Sequence, residues 1–289
     1  MTHQIQLLKK YGLSVKGARG QHLMVDENIQ RKFVDLVAPQ AGETIIEIGP
    51  GLGAITELLL KSGANVVAIE QDRRFVEILE GELGNDYPNL ALVSSDVLKV
   101  DLGKFTRKQK SSPKTGAPFL KVVGNIPYYI TSQILLHLIE YRSHIDTAFL
   151  TVQRELADRF FAQPGSKSYG RLSLLVRFYA EPKRLFEISR NCFSPRPDVD
   201  STALQLTFYR TPAKEVDEKV LFDLIKAGFG ERRKNILNAL SDGLAKKVTK
   251  DEIKKLLGEA GIDPKSRAEE LMLKDFIRLS QLFAGSLGV

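Results

Sequence analysis

The chain contains a single cysteine, Cys192, which excludes an internal disulfide framework. It has only four histidines, none paired at ligand spacing, so nothing in the sequence supports a zinc site. No apolar run approaches the roughly eighteen residues that a bilayer-spanning helix needs. Met1 to Lys16 lacks the apolar core and small-residue cleavage site of a secretory signal, and it is not Arg-rich like a transit peptide. The expectation is a cytoplasmic protein with no membrane contact and no metal. No internal repeat is present.

A length of 289 residues suits one large domain with a smaller one, and 43% apolar residues is enough for a packed core. The net charge of +7 is unevenly placed. Residues 1–100 hold ten Lys and Arg against thirteen Asp and Glu, residues 101–210 seventeen against nine, and residues 211–289 fifteen against thirteen. Clustered Lys and Arg exchange condensed counterions for phosphate contacts, so a polyanion is the natural partner of the basic middle. A solvated basic surface is the plainer alternative.

Asp26 precedes Ile29, Phe33 and Val37 at four-residue spacing, which predicts an N-capped helix ending before Pro39. Arg19 to Met24 reads as a loop. Short apolar runs at Thr44 to Ile48, Asn65 to Ile69, Leu90 to Val93, Phe119 to Val123 and Ala148 to Val152 read as strands. Helical spacing separates them over Ala54 to Lys61, Phe75 to Leu83 and Ile134 to Ile139. The polar stretch Lys104 to Pro118 reads as a mobile surface loop. Leu172 to Phe178 reads as a helix, and Leu185 to Ile188 and Ala203 to Phe208 as strands. This alternation predicts an α/β fold with a doubly wound, mostly parallel sheet. After Thr211-Pro212 only helical segments remain, so residues 1–211 are expected to form the catalytic domain and residues 212–289 a smaller all-helical one.

Three consecutive strand ends carry chemistry. Glu47-Ile48-Gly49-Pro50-Gly51-Leu52-Gly53 follows a strand and opens a helix, as a nucleotide-binding turn does, though its third glycine comes one residue too early for the dinucleotide fingerprint. Glu70 ends the next strand, where a carboxylate can accept both hydroxyls of a ribose. Asp96, past the third, can accept from the amine of an adenine. With no Lys or Arg near the glycine turn, a phosphate-rich cofactor is poorly served, and S-adenosyl-L-methionine, with an adenosine and a positive sulfur, fits better. At the fourth strand end stands Asn125-Ile126-Pro127-Tyr128. Its amide oxygen, backbone carbonyls and flat ring suit a planar heterocycle bearing an exocyclic amine, although a capped strand-to-helix turn would look the same.

That Asn-x-Pro-Tyr turn resembles the adenine-amine methyltransferases. The ordered set Gly20-Gln21-His22-Leu23-Met24-Val25-Asp26, Glu47-Ile48-Gly49-Pro50-Gly51, Gly124-Asn125-Ile126-Pro127-Tyr128, Tyr169-Gly170-Arg171-Leu172-Ser173 and Phe193-Ser194-Pro195-Arg196-Pro197-Asp198-Val199-Asp200-Ser201 is similar to the small-subunit ribosomal RNA adenine dimethyltransferases of the KsgA type. Arg232-Arg233-Lys234 and Arg267-Ala268-Glu269 resemble that family's helical C-terminal domain. Leu23-Met24 depart from the more usual Phe-Leu. The resemblance implies a seven-stranded methyltransferase (Rossmann-like) sheet with one antiparallel strand. It also implies two methyl groups on each of two adjacent adenosines near the 3′ end of small-subunit rRNA. An immature ribosomal subunit would be the partner, and a monomer the active form. Carried across, His22, Met24, Gly49, Gly51, Glu70, Asp96 and Asn125 would hold the cofactor.

The expected mechanism has the Asn125 amide oxygen and the Pro127 carbonyl accept the two amine hydrogens. Tyr128 stacks on the base and Phe193 closes its other face, holding it out of the RNA stack. A core position is the plainer reading of Phe193. Cys192 invites covalent pyrimidine-type chemistry but has no neighbouring base, and a small buried hydrophobe is its better reading. Two rivals stand beside the main reading: a macrolide-resistance-type methyltransferase of large-subunit RNA, and a non-enzymatic ribosome assembly factor.

Overall fold

The structure, a computed structural model, describes residues 2–15, 22–108, 119–209, 216–231, 233–245 and 248–287. Expectations for Arg19 to Gln21, residues 109–118, Thr211-Pro212, Arg232 and Lys246-Lys247 lie outside these residues, as does the side chain of Tyr128.

Nine strands and eleven α-helices are described. The strands are β1 (Leu23–Met24), β2 (Thr44–Ile48), β3 (Asn65–Glu70), β4 (Leu90–Ser94), β5 (Leu120–Asn125), β6 (Ile145–Gln153), β7 (Ala180–Ile188), β8 (Phe193–Ser194) and β9 (Ser201–Phe208). The helices of the first part are α1 (His3–Lys10), α2 (Glu27–Val37), α3 (Ala54–Lys61), α4 (Arg73–Leu79), α5 (Thr131–Glu140) and α6 (Arg154–Phe161). Then come α7 (Arg171–Tyr179), α8 (Glu218–Gly228), α9 (Ile236–Leu244), α10 (Lys250–Glu259) and α11 (Leu273–Leu287).

Seven strands form one sheet in the order β4-β3-β2-β5-β6-β9-β7, and β1 pairs with β8 in a second, minor one. From β2 the chain steps outward through β3 to β4, then returns to add β5 and β6 on the other side. β2 is parallel to both β3 and β5, and β9 runs antiparallel to β6. Alternate residues Ile45, Val66, Ala68 and Val123 pack with Phe33, Val37, Ile55 and Leu59 of α2 and α3. Ile46, Val67 and Val122, on the opposite face, are buried as well. Burial on both faces explains why these strands read as continuous apolar runs rather than alternating ones.

Local signals set the helix ends. The Asp26 carboxylate accepts from the N–H groups of Asn28 and Ile29, capping α2 as its sequence predicts. At the other end the Lys121 ammonium donates to the carbonyls of Val37 and Ala38 and to Glu43, each at 3.1 Å, satisfying carbonyls left open by the last turn. The start of the expected Lys104 to Pro118 loop is instead a 3-10 turn, Leu102–Lys108. Leu102 anchors it by full burial, and Asp101 accepts from the Gly103 N–H.

The chain divides into two compact units, residues 1–157 with 181–208, and residues 158–180 with 209–289. A single cut near 211 is what composition suggests, whereas the structure groups the α7 segment with the C-terminal helices. Tyr169 shows why: its hydroxyl donates to the Leu271 carbonyl at 2.8 Å and its ring packs edge-on against Phe229. Burial pushes that phenol up to about 12, so it stays a donor. Tyr179 likewise stacks on Phe222 and donates to Glu218. The Tyr169 to Ser173 motif is thus a helix-packing device within the helical unit.

Gly53 caps α3 at φ 80°, and a Cβ there would lie 2.8 Å from Leu79 Cδ2 and 3.1 Å from Leu83 Cδ1. Gly53→Ala should therefore destabilise the protein by roughly 1–2 kcal/mol from left-handed backbone strain alone. Urea unfolding reads this as a lower midpoint at unchanged slope; an unmoved midpoint would contradict it.

Candidate functional site

Parallel registers place the C-terminal ends of β2, β3, β4 and β5 in one row. Ile48 lies opposite both Ile69 and Gly124, and Glu70 opposite Ser94. The order reverses between β2 and β5, which opens the crevice where doubly wound sheets bind ligands. A cleft lies there with about 910 Å³ of empty space, open mouth included. His22, Met24, Gly49, Gly51, Glu70, Asp96, Asn125 and Pro127 all line it.

The glycine turn brings backbone donors into this cleft. Gly51, at φ 59°, turns its N–H onto Glu70 Oε2 at 3.3 Å, and the Asp72 N–H meets Glu70 Oε1 at 2.9 Å. Glu70 is 6% exposed; burial pushes its carboxyl up, and the Asp72 and Gly51 N–H groups pull part of that back. Asp96 caps the following 3-10 turn through one oxygen, Oδ1 on the Leu98 N–H at 3.0 Å. Glu47, at the head of the glycine motif, is the more unusual group. It is 2% exposed, lines the cleft, and its Oε2 has no hydrogen-bond partner among the described residues. Burial pushes it up to about 7; the neighbouring Thr56 hydroxyl, which has no hydrogen-bond partner among the described residues, offsets part of the rise, and the Glu70 charge adds to it.

Asn125 ends β5. Its Nδ2 donates to the His22 carbonyl at 2.8 Å, and among the described residues no donor reaches its Oδ1. His22 is fixed in turn, its Nδ1 donating to the Pro195 carbonyl at 2.7 Å. Two expected contacts meet a different geometry. The Pro127 carbonyl already accepts from the Ile130 N–H at 3.2 Å and the Thr131 hydroxyl at 3.1 Å, so both its lone pairs are used inside the turn. Phe193, 4% exposed, does not line the cleft; it pairs with Met24 across the minor sheet and packs in the core beside Ile188 and Ala203. Cys192 donates to Asp26 at 3.8 Å, and burial with that neighbouring carboxylate pushes its thiol up, away from nucleophilic use.

Sequence reasoning missed Gln4, which lines the cleft from α1. The signal was present as Gln4, Leu7, Leu8 and Tyr11 at helical spacing. No Lys or Arg is among the cleft-lining residues, and no group of three His, Cys, Asp or Glu among the described residues could hold a metal ion. A carboxylate-lined cleft suits a cationic ligand and repels a phosphate-rich one.

Sheet order and this edge define the class of protein, a methyltransferase on a Rossmann-like sheet. A dimethyladenosine transferase from Plasmodium falciparum shares the fold at a TM-score of 0.76 and 25% identity, over 93% of this chain and 99% of that one. The 23S rRNA methyltransferase ErmE matches at a TM-score of 0.64 over 90% of this chain and 98% of its own; at 23% identity this concerns the fold alone. The family is narrower than the class. Residues 13–285 match the family described as ribosomal RNA adenine dimethylase, and the chain belongs to it. Two relatives, each named ribosomal RNA small subunit methyltransferase A, are similar over nearly their full lengths. The one from Shouchella clausii is 42% identical over 97% of this chain and 94% of its own. That from Moorella thermoacetica is 41% identical over 96% and 95%.

Two outcomes follow from the burial. Below about pH 4.5 Glu47 is protonated folded or unfolded; between there and about pH 7 only the unfolded chain ionises, so stability falls as pH rises, by about 3 kcal/mol in full. Relative to wild type, Glu47→Gln should gain stability from pH 5 to pH 8 in parallel urea titrations without ligand; a constant difference would refute it. Phe193→Ala should cost roughly 3–5 kcal/mol as a core cavity, read from the same titrations; a loss under about 1 kcal/mol, typical of surface positions, would return the ring to a stacking role.

Proposed function

We propose that this enzyme transfers methyl groups from S-adenosyl-L-methionine to the exocyclic amines of two adjacent adenosines near the 3′ end of small-subunit rRNA. Its substrate would be an immature ribosomal subunit in the cytoplasm, met by a monomer. The observation that carries the reading is the Asn125 amide, locked by the His22 carbonyl with its oxygen left to accept beside the carboxylate-lined cleft. The relatives' names support the small subunit over the large one. The basic excess of residues 101–210 supports a polyanionic substrate.

The residues present fit the cofactor. After its two backbone bonds the Glu70 carboxylate keeps capacity for a ribose hydroxyl. Asp96 keeps one oxygen for an adenine amine, and the unpartnered Glu47 Oε2 suits an ammonium. When bound, S-adenosylmethionine supplies a methyl group made electrophilic by its sulfonium.

An adenine amine is a poor nucleophile because its lone pair is delocalised into the ring. Asn125 Oδ1 would accept one amine hydrogen. The second falls to the Ile126 carbonyl, which accepts no hydrogen bond among the described residues, rather than to the occupied carbonyl of Pro127. Two acceptors on one side favour a pyramidal nitrogen whose lone pair points at the methyl, so positioning and preorganised dipoles carry the acceleration. No general base is needed before attack, since the proton becomes acidic once the methyl is on the nitrogen. Tyr128, next on the turn, would offer its ring to the base.

Mass spectrometry of small-subunit rRNA, after immature subunits are incubated with the protein and S-adenosylmethionine, tests the reading. Wild type should yield two dimethyladenosines, and an unmodified pair would leave only a binding role. Asn125→Ala should slow transfer roughly 10²–10³-fold, the cost of losing one preorganised polar contact. Cofactor affinity by calorimetry should change far less; retained turnover would sink this mechanism.

A further inference from the structure

α1 lies against the cleft, and one side chain on it is unaccounted for. Gln4 is 4% exposed and lines the cleft, although its neighbours on the helix face an apolar cluster of Leu7, Leu52, Phe75 and Ile78. Burying a primary amide is costly unless both its ends are satisfied. The Nε2 end is satisfied, donating to the Leu52 carbonyl at 3.0 Å. Among the described residues no donor meets Oε1, and that oxygen is not one of the fully buried atoms, so it keeps its acceptor capacity at the cleft wall. The far end of the helix is fixed as well: the Lys10 ammonium and the Tyr11 hydroxyl both donate to Glu82 Oε1, at 2.5 Å each.

Position narrows what could meet that oxygen. Leu52, which holds the amide, follows Gly51, whose N–H lies on Glu70 Oε2. Gln4 is therefore tied to the loop that supports Glu70. Both Glu70 oxygens already accept a backbone N–H, which reduces what that carboxylate can offer two neighbouring hydroxyls. We propose that Gln4 is a further cofactor-binding residue: its Oε1 accepts one ribose hydroxyl of the methyl donor while Glu70 accepts the other. α1 is then the wall of the ribose pocket, and the Lys10–Tyr11–Glu82 contact holds that wall in place. This inference rests on the S-adenosylmethionine reading above.

The test uses S-adenosylhomocysteine and its 2′-deoxy and 3′-deoxy analogues, titrated by calorimetry into the full chain. Wild type should bind the parent compound and lose roughly ten-fold with each deletion, as expected for one net hydrogen bond. Gln4→Met, which keeps the volume and removes the acceptor, should weaken the parent roughly ten-fold and become indifferent to one of the two deletions while staying sensitive to the other. Its KM for S-adenosylmethionine should rise with kcat unchanged. Glu82→Gln, which loosens the helix with Gln4 intact, should weaken all three ligands by the same factor. Should Gln4→Met fail to fold, Gln4→Asn, with the amide withdrawn by one methylene, gives the same reading. Equal sensitivity of Gln4→Met to both deletions would overturn the proposal and leave Gln4 as an anchor of α1. No binding of the parent compound to wild type would overturn the cofactor reading itself.

Discussion

β2 is the strand against which everything else is placed, because it is parallel to a neighbour on each side. Parallel pairing on both flanks sends the chain out of the sheet at the same edge three times over. Whatever residue follows each strand is delivered to one row. Register matters more than proximity here, since a slip of one residue would turn every side chain of a strand to the opposite face. Burial of both faces forbids such a slip, with Ile45 and Val66 on one side and Ile46 and Val67 on the other all removed from water. The groups of the cleft inherit their positions from that packing, and the loops beyond the strand ends need only be short.

Placing carboxylates on such an edge has an energetic consequence. Glu47 and Glu70 stand among apolar strands, and burial raises both above the ordinary carboxylate range. The two are treated differently. Glu70 is compensated by two backbone N–H groups, whereas Glu47 keeps an oxygen with no partner among the described residues. An uncompensated buried acid is a cost to the fold, and a cation arriving at the cleft lowers that cost while a phosphate would raise it. Such a pair would favour a cation over a phosphate before any contact specific to a purine or a ribose is made.

Much of this was readable from the chain, for reasons that can be named. Thr44–Ile48, Asn65–Glu70 and Leu90–Ser94 are apolar runs bounded by turn residues, and Asp26 is followed by helical spacing, so local chemistry sufficed. Glu70 could be placed because strand length fixes where a strand ends. What escaped was long-range or hidden in small print. α1 is eight residues long, and only its docking on Leu52 and Glu82 gives it a role. The grouping of α7 with the C-terminal helices depends on Tyr169 meeting Leu271, 102 residues away. The occupied Pro127 carbonyl was visible in principle, because Thr131 stands four residues later with a hydroxyl able to bond back.

Phe193 shows why motif residues should be sorted by what they touch. Its ring lies in the core, yet the strand it begins bears directly on Asn125. Phe193 faces Met24 across the minor sheet, and the Val25 N–H donates to the Cys192 carbonyl at 2.8 Å. One residue further along each strand, the His22 ring is held by the Pro195 carbonyl, and the His22 carbonyl holds the Asn125 amide. Two motifs about seventy residues apart in sequence (Asn-Ile-Pro-Tyr and Phe-Ser-Pro-Arg-Pro) therefore meet through one backbone segment. An amide that must present its oxygen, not its nitrogen, to a substrate needs its nitrogen occupied by a fixed acceptor. The minor sheet supplies that acceptor, and a buried ring is what keeps the minor sheet in register.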